Sequence, residues 1–322
     1  MNTVQFMKKI LNLLIVLIGV SLLSFLLSNI SSVDPAEAIA RRIYSNPTQE
    51  QIQEIRSEKG LDQPILVQYA KWAGGCIRGD LGLSYQSNQP VRQEIAEKLT
   101  ATLLLVGMAM LWIVVVTVPL GILSAAKRGR LCDHLIHLIT ILGISIPAFW
   151  LGYLLLTSFA IKIPVFKVVD YGSLRSLILP SLTLAASVFS SSIRMLRATV
   201  LENLKKDYAI YALARGLSPT QILWKHVLKN ALPPMVTLFF QNIGMMIGGS
   251  AIVENVFSWP GLGNYFLSAI INRDLPVITG CVLVLGLIFV VCNAIGEGIN
   301  LVLNPRMRNG KEVTAVEKKT AP

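Results

Sequence analysis

Six long apolar stretches constrain the fold of this sequence more than any other feature. They lie at 10–27, 100–125, 135–161, 177–198, 234–256 and 276–303. A helix of about 20 apolar residues crosses the hydrocarbon core of a bilayer, and it satisfies its own backbone hydrogen bonds there. Charged residues make up only 15% of the chain, whereas soluble domains carry roughly 25%. The sequence therefore predicts an all-α polytopic membrane protein with six transmembrane helices.

The first apolar stretch fits two interpretations. Lys8 and Lys9 precede it, as basic residues precede the apolar core of a secretory signal peptide. That core is usually about 7–15 residues long, and the stretch at 10–27 is longer. We therefore predict that residues 1–30 form an N-terminal tail and a retained first transmembrane helix.

The formal net charge of +11 is unevenly distributed along the chain. Lysine and arginine residues cluster before the first apolar stretch and after the second, fourth and sixth. Basic residues of membrane proteins concentrate on the cytoplasmic side. This rule predicts that both termini, the loop at 126–134 and the segment at 199–232 are cytoplasmic. The charge then reflects topology, and nucleic acid is not an expected partner.

The connections between the stretches suggest a division into regions. Residues 31–98 are polar and mixed in charge, and we predict a small extracytoplasmic region there, with a short helix at 48–59. Residues 99–303 are predicted to form a five-helix transmembrane core that includes the cytoplasmic segment 199–232. Residues 304–322 are polar and lack an apolar pattern, so they are predicted to form a flexible cytoplasmic tail.

The segment Asp207–Thr237 is polar and basic, in contrast to the apolar stretches around it. Its first part has a helical pattern, and Gly216 can supply the left-handed residue that ends a helix. Ser218 and Gln221 have the spacing of a capping box, which begins a second helix. We predict that this second helix ends at the double proline 233–234, because proline disfavours helical backbone in the residue before it.

On a helical wheel the second helix has one apolar face and one basic face. The apolar face comprises Leu223, Trp224, Val227, Leu228 and Ala231, and the other face carries Lys225, His226 and Lys229. An interfacial helix lying on anionic lipid has this pattern. The glycine break and the length of the basic segment also fit a helical hairpin that docks a partner protein. The residues alone leave both interpretations open and favour docking only modestly.

The same segment resembles the cytoplasmic EAA loop of ABC-importer permeases, in the form found in the dipeptide, oligopeptide and nickel permeases. The matching residues are Asp207, Tyr208, Ala212, Ala214, Gly216, Leu217, Ser218, His226, Leu228, Asn230, Ala231 and Pro234. Further similarity to the family follows in the correct order at 60–72, 79–85, 90–103, 145–152, 254–263 and 272–280. The chain is identified as a member of this family because several separated motifs agree.

The resemblance implies an architecture and a set of partners. It implies a type I ABC-importer permease fold, with several passes through a bacterial cytoplasmic membrane. The implied partners are a second homologous permease subunit, two ATP-binding subunits and an extracytoplasmic substrate-binding protein. The chain lacks a G-x-x-x-x-G-K-[ST] motif, so ATP and Mg are expected in the partner subunits and no cofactor in this chain. We therefore expect a transport subunit and not an enzyme.

The residues assigned to ATPase docking come from this resemblance. They are Asp207, Tyr208, Ala212, Ala214, Gly216, Leu217, Ser218, His226 and Asn230. The generic family motif has a glutamate six residues before the glycine, where this chain has Ile210. The peptide and nickel branch often lacks that glutamate, so docking is still expected, without a carboxylate contact at this position.

Two acidic residues near membrane depth are candidates for the pore or a gate. Glu254 comes at the outer end of the fifth apolar stretch, before a turn that contains Trp259. We expect an outer-gate or loop-ordering role there. Glu297 shares a helical stripe with Asn293, Asn300 and Asn304, which predicts a buried polar seam between helices and not a cation path. The pattern does not specify which residues line the pore.

Histidine and cysteine residues show no clear metal-site pattern. His134 and His137 follow Asp133 at the cytoplasmic edge of the third stretch. Such a group could hold a metal, but polar anchoring is the favoured role at that edge. The cysteines are widely separated, and we predict small core residues without disulfides or zinc. They are Cys76, Cys132, Cys281 and Cys292.

The cargo is predicted only as a class. The family carries small peptides or nickel, free or chelated, and the run FVVCN at 289–293 gives a slight preference for nickel. The alternative to an ATP-driven importer is a secondary transporter driven by an ion gradient. Such transporters often contain inverted repeats with discontinuous helices, and we find no convincing internal repeat. The HExxH and GxSxG motifs are absent, which argues against an intramembrane enzyme.

Overall fold

The computed structural model describes residues 11, 15–23, 25, 26, 34–168 and 171–303. Within this part of the chain the regular backbone is helical, apart from one β-bridge between Leu83 and Pro90. Residues 15–23 are helical. The helices after residue 34 are α1 (Pro35–Ile43), α2 (Gln49–Glu58), α3 (Ile65–Ile77), α4 (Val91–Ala126), α5 (Leu131–Ser145), α6 (Ala148–Lys162), α7 (Ile178–Asn203), α8 (Asp207–Ala214), α9 (Pro219–Gly249), α10 (Ala251–Val256), α11 (Leu262–Asn272) and α12 (Leu275–Leu303). The all-α class predicted from the apolar stretches is therefore found in the described residues.

Four helices of the described chain are long and apolar enough to cross a membrane. They are α4, α7, α9 and the part of α12 at Leu275–Ile299. A fifth crossing results only if α5 and α6 form one bent span. The predicted span at 10–27 lies partly outside the described residues. Both termini and the whole predicted tail at 304–322 also lie outside them. Six spans and cytoplasmic termini therefore stay predictions.

The third apolar stretch, predicted as one transmembrane helix, consists of two helices. α5 and α6 are bent by 102° relative to each other. Between them Ile146 has extended backbone, with φ −79° and ψ 122°, and Pro147 follows with φ −61° and ψ 138°. Proline lacks an amide hydrogen and disfavours helical backbone in the preceding residue. The bend therefore falls at the residues where proline interrupts the helix.

The first compact unit comprises residues 1–104 and 247–290. α2 lies where the short helix at 48–59 was predicted, and it begins at a capping box of Thr48 and Gln51. α1 and α2 enclose a small apolar core of Ala36, Ile39, Ala40, Ile52 and Ile55. A second core consists of Leu81, Val91, Ile95, Leu262, Ala269, Val277 and Cys281. The polar region thus packs on α11 and α12. The predicted extracytoplasmic position of residues 31–98 stays a prediction.

The second compact unit comprises residues 105–246 and 291–322, described as far as 303. Its core joins the ends of α4 and α7 to α8 and to the first half of α9. The buried residues are Ile122, Ala125, Leu196, Val200, Ala209, Ala212, Ile222, Leu223, Val227, Leu228 and Ala231. The basic segment is therefore packed firmly against two long apolar helices.

The double proline at 233–234 does not end the second helix of the basic segment, so that prediction is wrong. α9 continues through both prolines to Gly249. Val227 and Ala231 before the prolines and Met235 after them pack in the same core. A proline costs about 3 kcal/mol in a helix interior, and fully burying one valine or leucine side chain contributes about 1.5–3 kcal/mol. Packing on both sides therefore outweighs the local cost, and membrane helices accommodate proline through local adjustments.

Two glycines allow close approach of helices in the second unit. A Cβ built at Gly143 of α5 would lie 2.2 Å from Ser190 Oγ of α7, and one at Gly121 of α4 would lie 2.8 Å from Leu196 Cδ2. Ser190 Oγ is itself held by a hydrogen bond to Ala186 O at 2.7 Å. The contact between α5 and α7 therefore leaves no room for a methyl group at Gly143.

Gly143→Ala is expected to destabilise the protein by about 1–3 kcal/mol, because an added methyl group overpacks this contact. Thermal unfolding of the purified importer measures the effect. Gly107→Ala on α4 is the matched control, since no atom lies within 4 Å of a Cβ built there. The double variant Gly143→Ala/Ser190→Gly should recover most of the loss. Equal melting temperatures for the Gly143 and Gly107 variants would contradict the steric explanation.

Candidate functional site

Gly216 determines the break between α8 and α9. Its φ of 82° lies in the left-handed region, which costs residues with a Cβ about 1–2 kcal/mol. The Gly216 amide donates to Leu213 O at 2.9 Å, and the Leu217 amide donates to Ala212 O at 3.3 Å, as in a Schellman motif. No atom lies within 4 Å of a Cβ built at Gly216. The backbone conformation, and not close packing, therefore requires glycine here.

Ser218 and Gln221 form the predicted capping box at the start of α9. The Gln221 amide donates to Ser218 Oγ at 3.3 Å, and the Ser218 amide donates to Gln221 Oε1 at 3.0 Å. Both backbone donors at this helix N-terminus are thereby satisfied by side chains. The break is therefore defined by local interactions on both sides of Leu217.

Several residues assigned to docking also support the fold of the segment itself. Ala212 is buried in the core of the second unit. The Tyr208 hydroxyl donates to Asn203 Oδ1 at 2.7 Å, and burial raises the pKa of Tyr208. Asn230 Nδ2 donates to His226 O at 2.8 Å. These side chains join α8 to the end of α7 and stabilise the first turns of α9.

The remaining assigned residues lie mostly on the surface of the segment. Asp207, Ala214, Gly216 and Ser218 are exposed, whereas Leu217 is partly buried. Four large apolar side chains, which the sequence analysis did not assign to docking, are also exposed on this segment. They are Ile210, Tyr211, Leu213 and Trp224, with exposed fractions of 56%, 66%, 57% and 59%. We call these four residues the exposed apolar set.

Trp224 does not belong to the buried face of α9, so its predicted position is wrong. Leu223, Val227 and Leu228 from the same predicted face are buried, but Trp224 is 59% exposed. The residues Leu223–Val227 form a π-helical turn. A π-turn has more residues per turn than an α-helix, so the angular positions expected for a regular α-helix do not apply within it.

Glu254 is fully buried at the junction of α10 with the following turn. Its Oε1 accepts hydrogen bonds from Thr102 Oγ1 at 2.6 Å and from Ser250 Oγ at 2.8 Å. Its Oε2 accepts one from the Asn264 amide at 2.8 Å. A buried carboxyl group is retained when its oxygens are satisfied in this way. Glu254 therefore connects α4, α10 and α11 within the first unit.

The turn that contains Trp259 is fixed against the same part of α4. The Trp259 indole is buried, and its Nε1 donates to Ala101 O at 3.0 Å. The Leu262 amide donates to Thr102 Oγ1 at 2.8 Å. A Cβ built at Gly261 would lie 2.3 Å from Glu254 Cδ. The sequence therefore needs glycine where the turn passes over the carboxyl group.

Glu297 lies apart from this network, on the portion of α12 that belongs to the second unit. Its side chain is exposed in the single chain, and Asn293 is partly buried. The predicted burial of this carboxyl group in a seam between helices is therefore not found within the described chain. Among the candidates for a pore or gate, the structure brings together Glu254 and Trp259.

Asp133 pairs with an arginine and does not join the neighbouring histidines in a metal site. Arg197 Nε and Nη2 donate to the two Asp133 oxygens at 2.8 and 2.7 Å. Ser124 Oγ and the Gly129 amide also donate to this carboxyl group. No group of three potential metal ligands occurs among the described residues. The four cysteines are free thiols.

Known proteins similar to this chain are inner-membrane transport components. Residues 117–309 match the family described as binding-protein-dependent transport system inner membrane component, and residues 3–106 match the N-terminal part described for such membrane components. The glutathione transport system permease protein GsiC of Escherichia coli strain K12 is 38% identical over 301 residues, which are 94% of this chain and 97% of that protein. The GsiC protein of Shigella flexneri serotype 5b is 37% identical over the same shares. The chain belongs to the family of binding-protein-dependent ABC-importer permeases.

The fold of this permease is similar to a chain of the MetNI methionine ABC transporter in an inward-facing conformation. The TM-score is 0.56 at 20% sequence identity, and the similarity covers 65% of this chain and 95% of that chain. At this identity the likeness concerns the fold alone. It supports the all-α importer architecture that the motifs predicted.

Membership in the family establishes the general role of the permease. It is a multi-pass protein of the cytoplasmic membrane and a transport subunit of an ABC importer. The family implies ATPase and substrate-binding partners, while the predicted subunit numbers stay predictions. An importer of this kind is driven by ATP, so the alternative of an ion-gradient carrier is set aside.

Glu254→Gln is expected to destabilise the permease by about 1–3 kcal/mol, because an amide group would place a donor against the donors that the carboxyl oxygens now accept. Thermal unfolding of the purified importer measures this change. Glu50→Gln, at an exposed position of α2, is the control and should unfold near the wild-type temperature. A wild-type melting temperature for Glu254→Gln would show that the turn does not depend on these hydrogen bonds.

Proposed function

We propose that this permease passes small peptides across the membrane and takes its driving force from ATPase subunits docked on residues 207–234. The proposed cargo rests on the glutathione permeases, which are 37–38% identical over 94% of the chain. These relatives give no support to the nickel preference suggested by the run at 289–293. A peptide of glutathione size is therefore the cargo to test first.

The exposed apolar set is the observation that carries the proposed docking. Ile210, Tyr211, Leu213 and Trp224 present large apolar surface on a segment whose opposite side is packed against α4 and α7. Exposed groups of apolar residues commonly mark protein interfaces, and interface cores are enriched in aromatic residues. Ile210 replaces the glutamate of the generic motif, so we propose an apolar contact with the ATPase at that position.

Packing explains how docking would be coupled to the membrane helices. Val227 and Ala231 of α9 are fully buried against a core that includes Leu196 of α7 and Ile122 of α4. Protein interiors are close-packed and have low compressibility. Movement of the docked ATPase would therefore displace the ends of α4 and α7 together with the segment. We further propose that Glu254 and Trp259 keep the turn before α11 ordered on the outer side during this movement.

Uptake into proteoliposomes tests the cargo. The importer is reconstituted with its ATPase subunits, its partner permease and its substrate-binding protein, and ATP is supplied on the ATPase side. We expect ATP-dependent uptake of glutathione or a small peptide such as trialanine. Uptake of nickel without uptake of either peptide would contradict the proposed cargo, and peptide uptake without ATP would contradict the coupling.

Gly216→Val is expected to weaken ATPase binding and transport, because a β-branched residue is strongly disfavoured at φ 82°. Co-purification of the ATPase and ATP-driven uptake are the measurements. Gly216→Asn is the matched control, since asparagine tolerates the left-handed region and no atom lies within 4 Å of the new Cβ. Normal co-purification and uptake for Gly216→Val would show that this backbone conformation is not needed for docking.

A further inference from the structure

A cavity of about 400 Å³ lies in the first compact unit beside α3. The described residues that line it include Phe25, Lys59, Lys71, Trp72, Tyr85 and Pro276. Its volume falls within the range of roughly 300–1,000 Å³ that is typical of small-molecule sites. None of these residues belongs to the docking segment or to the hydrogen bonds around Glu254. The cavity is therefore a separate feature of the permease.

Two neighbouring residues of α3 that line the cavity, Lys71 and Trp72, carry hydrogen-bond donors. Trp72 Nε1 is buried and has no hydrogen-bond partner among the described residues. Leaving such a donor unpaired costs about 1–3 kcal/mol, which an acceptor on a ligand would offset. Lys71, the preceding residue of α3, also lines the cavity, and its Nζ contacts the neutral Oε1 of Gln63 at 2.7 Å.

The two lysines of the cavity differ in their charge partners. Lys59 Nζ lies 3.1 Å from Glu58 Oε1, so its charge is compensated by a carboxylate. Lys71 has no carboxylate within 4.0 Å in the described part of the chain, and its contact with Gln63 leaves the charge uncompensated. These donors therefore favour an anionic group near Lys71 and Trp72.

Aromatic and apolar side chains form another part of the cavity wall, which includes the Trp72 ring. The ring centroids of Phe25 and Trp72 are 6.4 Å apart, and Leu275 and Pro276 also line the cavity. Burial, with the nearby charge of Asp274, raises the pKa of Tyr85 to about 12. Its phenol is therefore neutral at physiological pH. An uncharged side chain of a ligand fits this wall, because apolar burial is favourable there.

Side-chain contacts hold the cavity walls in place. Gln68 Nε2 donates to Gln63 O at 2.7 Å and to Leu61 O at 3.3 Å, which ties the loop before α3 to the helix. The Tyr69 ring lies 6.0 Å from the Trp72 ring. A site that is already ordered loses less conformational entropy when it binds a ligand. These contacts hold the part of α3 that carries Lys71 and Trp72 in place.

We propose that this cavity binds a small peptide through its free C-terminal carboxylate, with Lys71 Nζ and Trp72 Nε1 as the donors. The peptide's uncharged side chains would lie against Phe25 and Tyr85. This inference rests on the proposed peptide cargo and adds a binding site for it within the permease. A metal cation is disfavoured because Glu58, the carboxylate in the lining, is paired with Lys59, and the charge of Lys71 is uncompensated. An acyl chain would leave the donors unpaired.

Direct binding to the intact importer tests the proposal. The complex is placed in nanodiscs without its substrate-binding protein, and binding of labelled glutathione and trialanine is measured by equilibrium dialysis. Each peptide is used as the free acid and as the C-terminal amide. We expect saturable binding of at least one free acid, about tenfold tighter than its amide, since hydrogen bonds to charged groups contribute about 1.5–3 kcal/mol.

Two variants identify the donors. Lys71→Gln should remove the preference for the acid over the amide, because the amide and the variant both delete the same charge interaction. Trp72→Phe keeps an aromatic ring without the N–H and should weaken binding of the acid several-fold. Lys98→Gln removes a lysine that pairs with Glu97 on α4, outside the cavity lining, and should bind as the wild type does.

Several results would overturn the site. They are the lack of saturable binding of either free acid, a preference for the acid that survives Lys71→Gln, and an equal loss in Lys98→Gln. The uptake assay separates this failure from failure of the proposed function. ATP-driven peptide uptake without direct binding would reject the cavity site and leave peptide transport standing. Direct binding that depends on the carboxylate and Lys71, even without uptake, would support the site and reject the transport proposal.

Discussion

Apolar packing beneath the break between α8 and α9 is the interaction on which the coupling of this permease depends. Val200 of α7 and Val227 and Ala231 of α9 have no exposed surface, and Leu196 has almost none. Fully burying each valine or leucine contributes about 1.5–3 kcal/mol, so moving the segment away from the helices would expose several such groups at once. The segment and the ends of α4 and α7 are therefore held as one packed body, with the exposed apolar set facing outward.

In the first unit, hydrogen bonds between buried polar groups hold the turn before α11 in place. Glu254 accepts hydrogen bonds from Thr102, Ser250 and the Asn264 amide, and the Trp259 indole reaches Ala101. A buried polar group that loses one partner keeps its full desolvation cost. The turn before α11 is consequently specified by several hydrogen bonds that must form together. This arrangement suits a loop that has to keep its shape while neighbouring helices move.

Sequence reasoning succeeded where local chemistry decides the structure. The left-handed Gly216 and the capping box of Ser218 depend on a few neighbouring residues, and the separated motifs identified the permease family across nearly the whole chain. It failed where packing or altered helix geometry decides, as with the double proline at 233–234 and with Trp224 in a π-turn. The cavity beside Lys71 was not predicted, because its walls come from segments far apart in the sequence.

The contact of Gly143 with Ser190 has a mechanical consequence for α5 and α7. The two helices approach so closely at this point that there is no space for a side chain at Gly143. The pair of Asp133 with Arg197 lies 10 residues earlier on α5, or about 15 Å along the helix. α5 and α7 are therefore attached at two points, the close contact at Gly143 and the Asp133–Arg197 ion pair, and two separate attachments oppose rotation of one helix about the other.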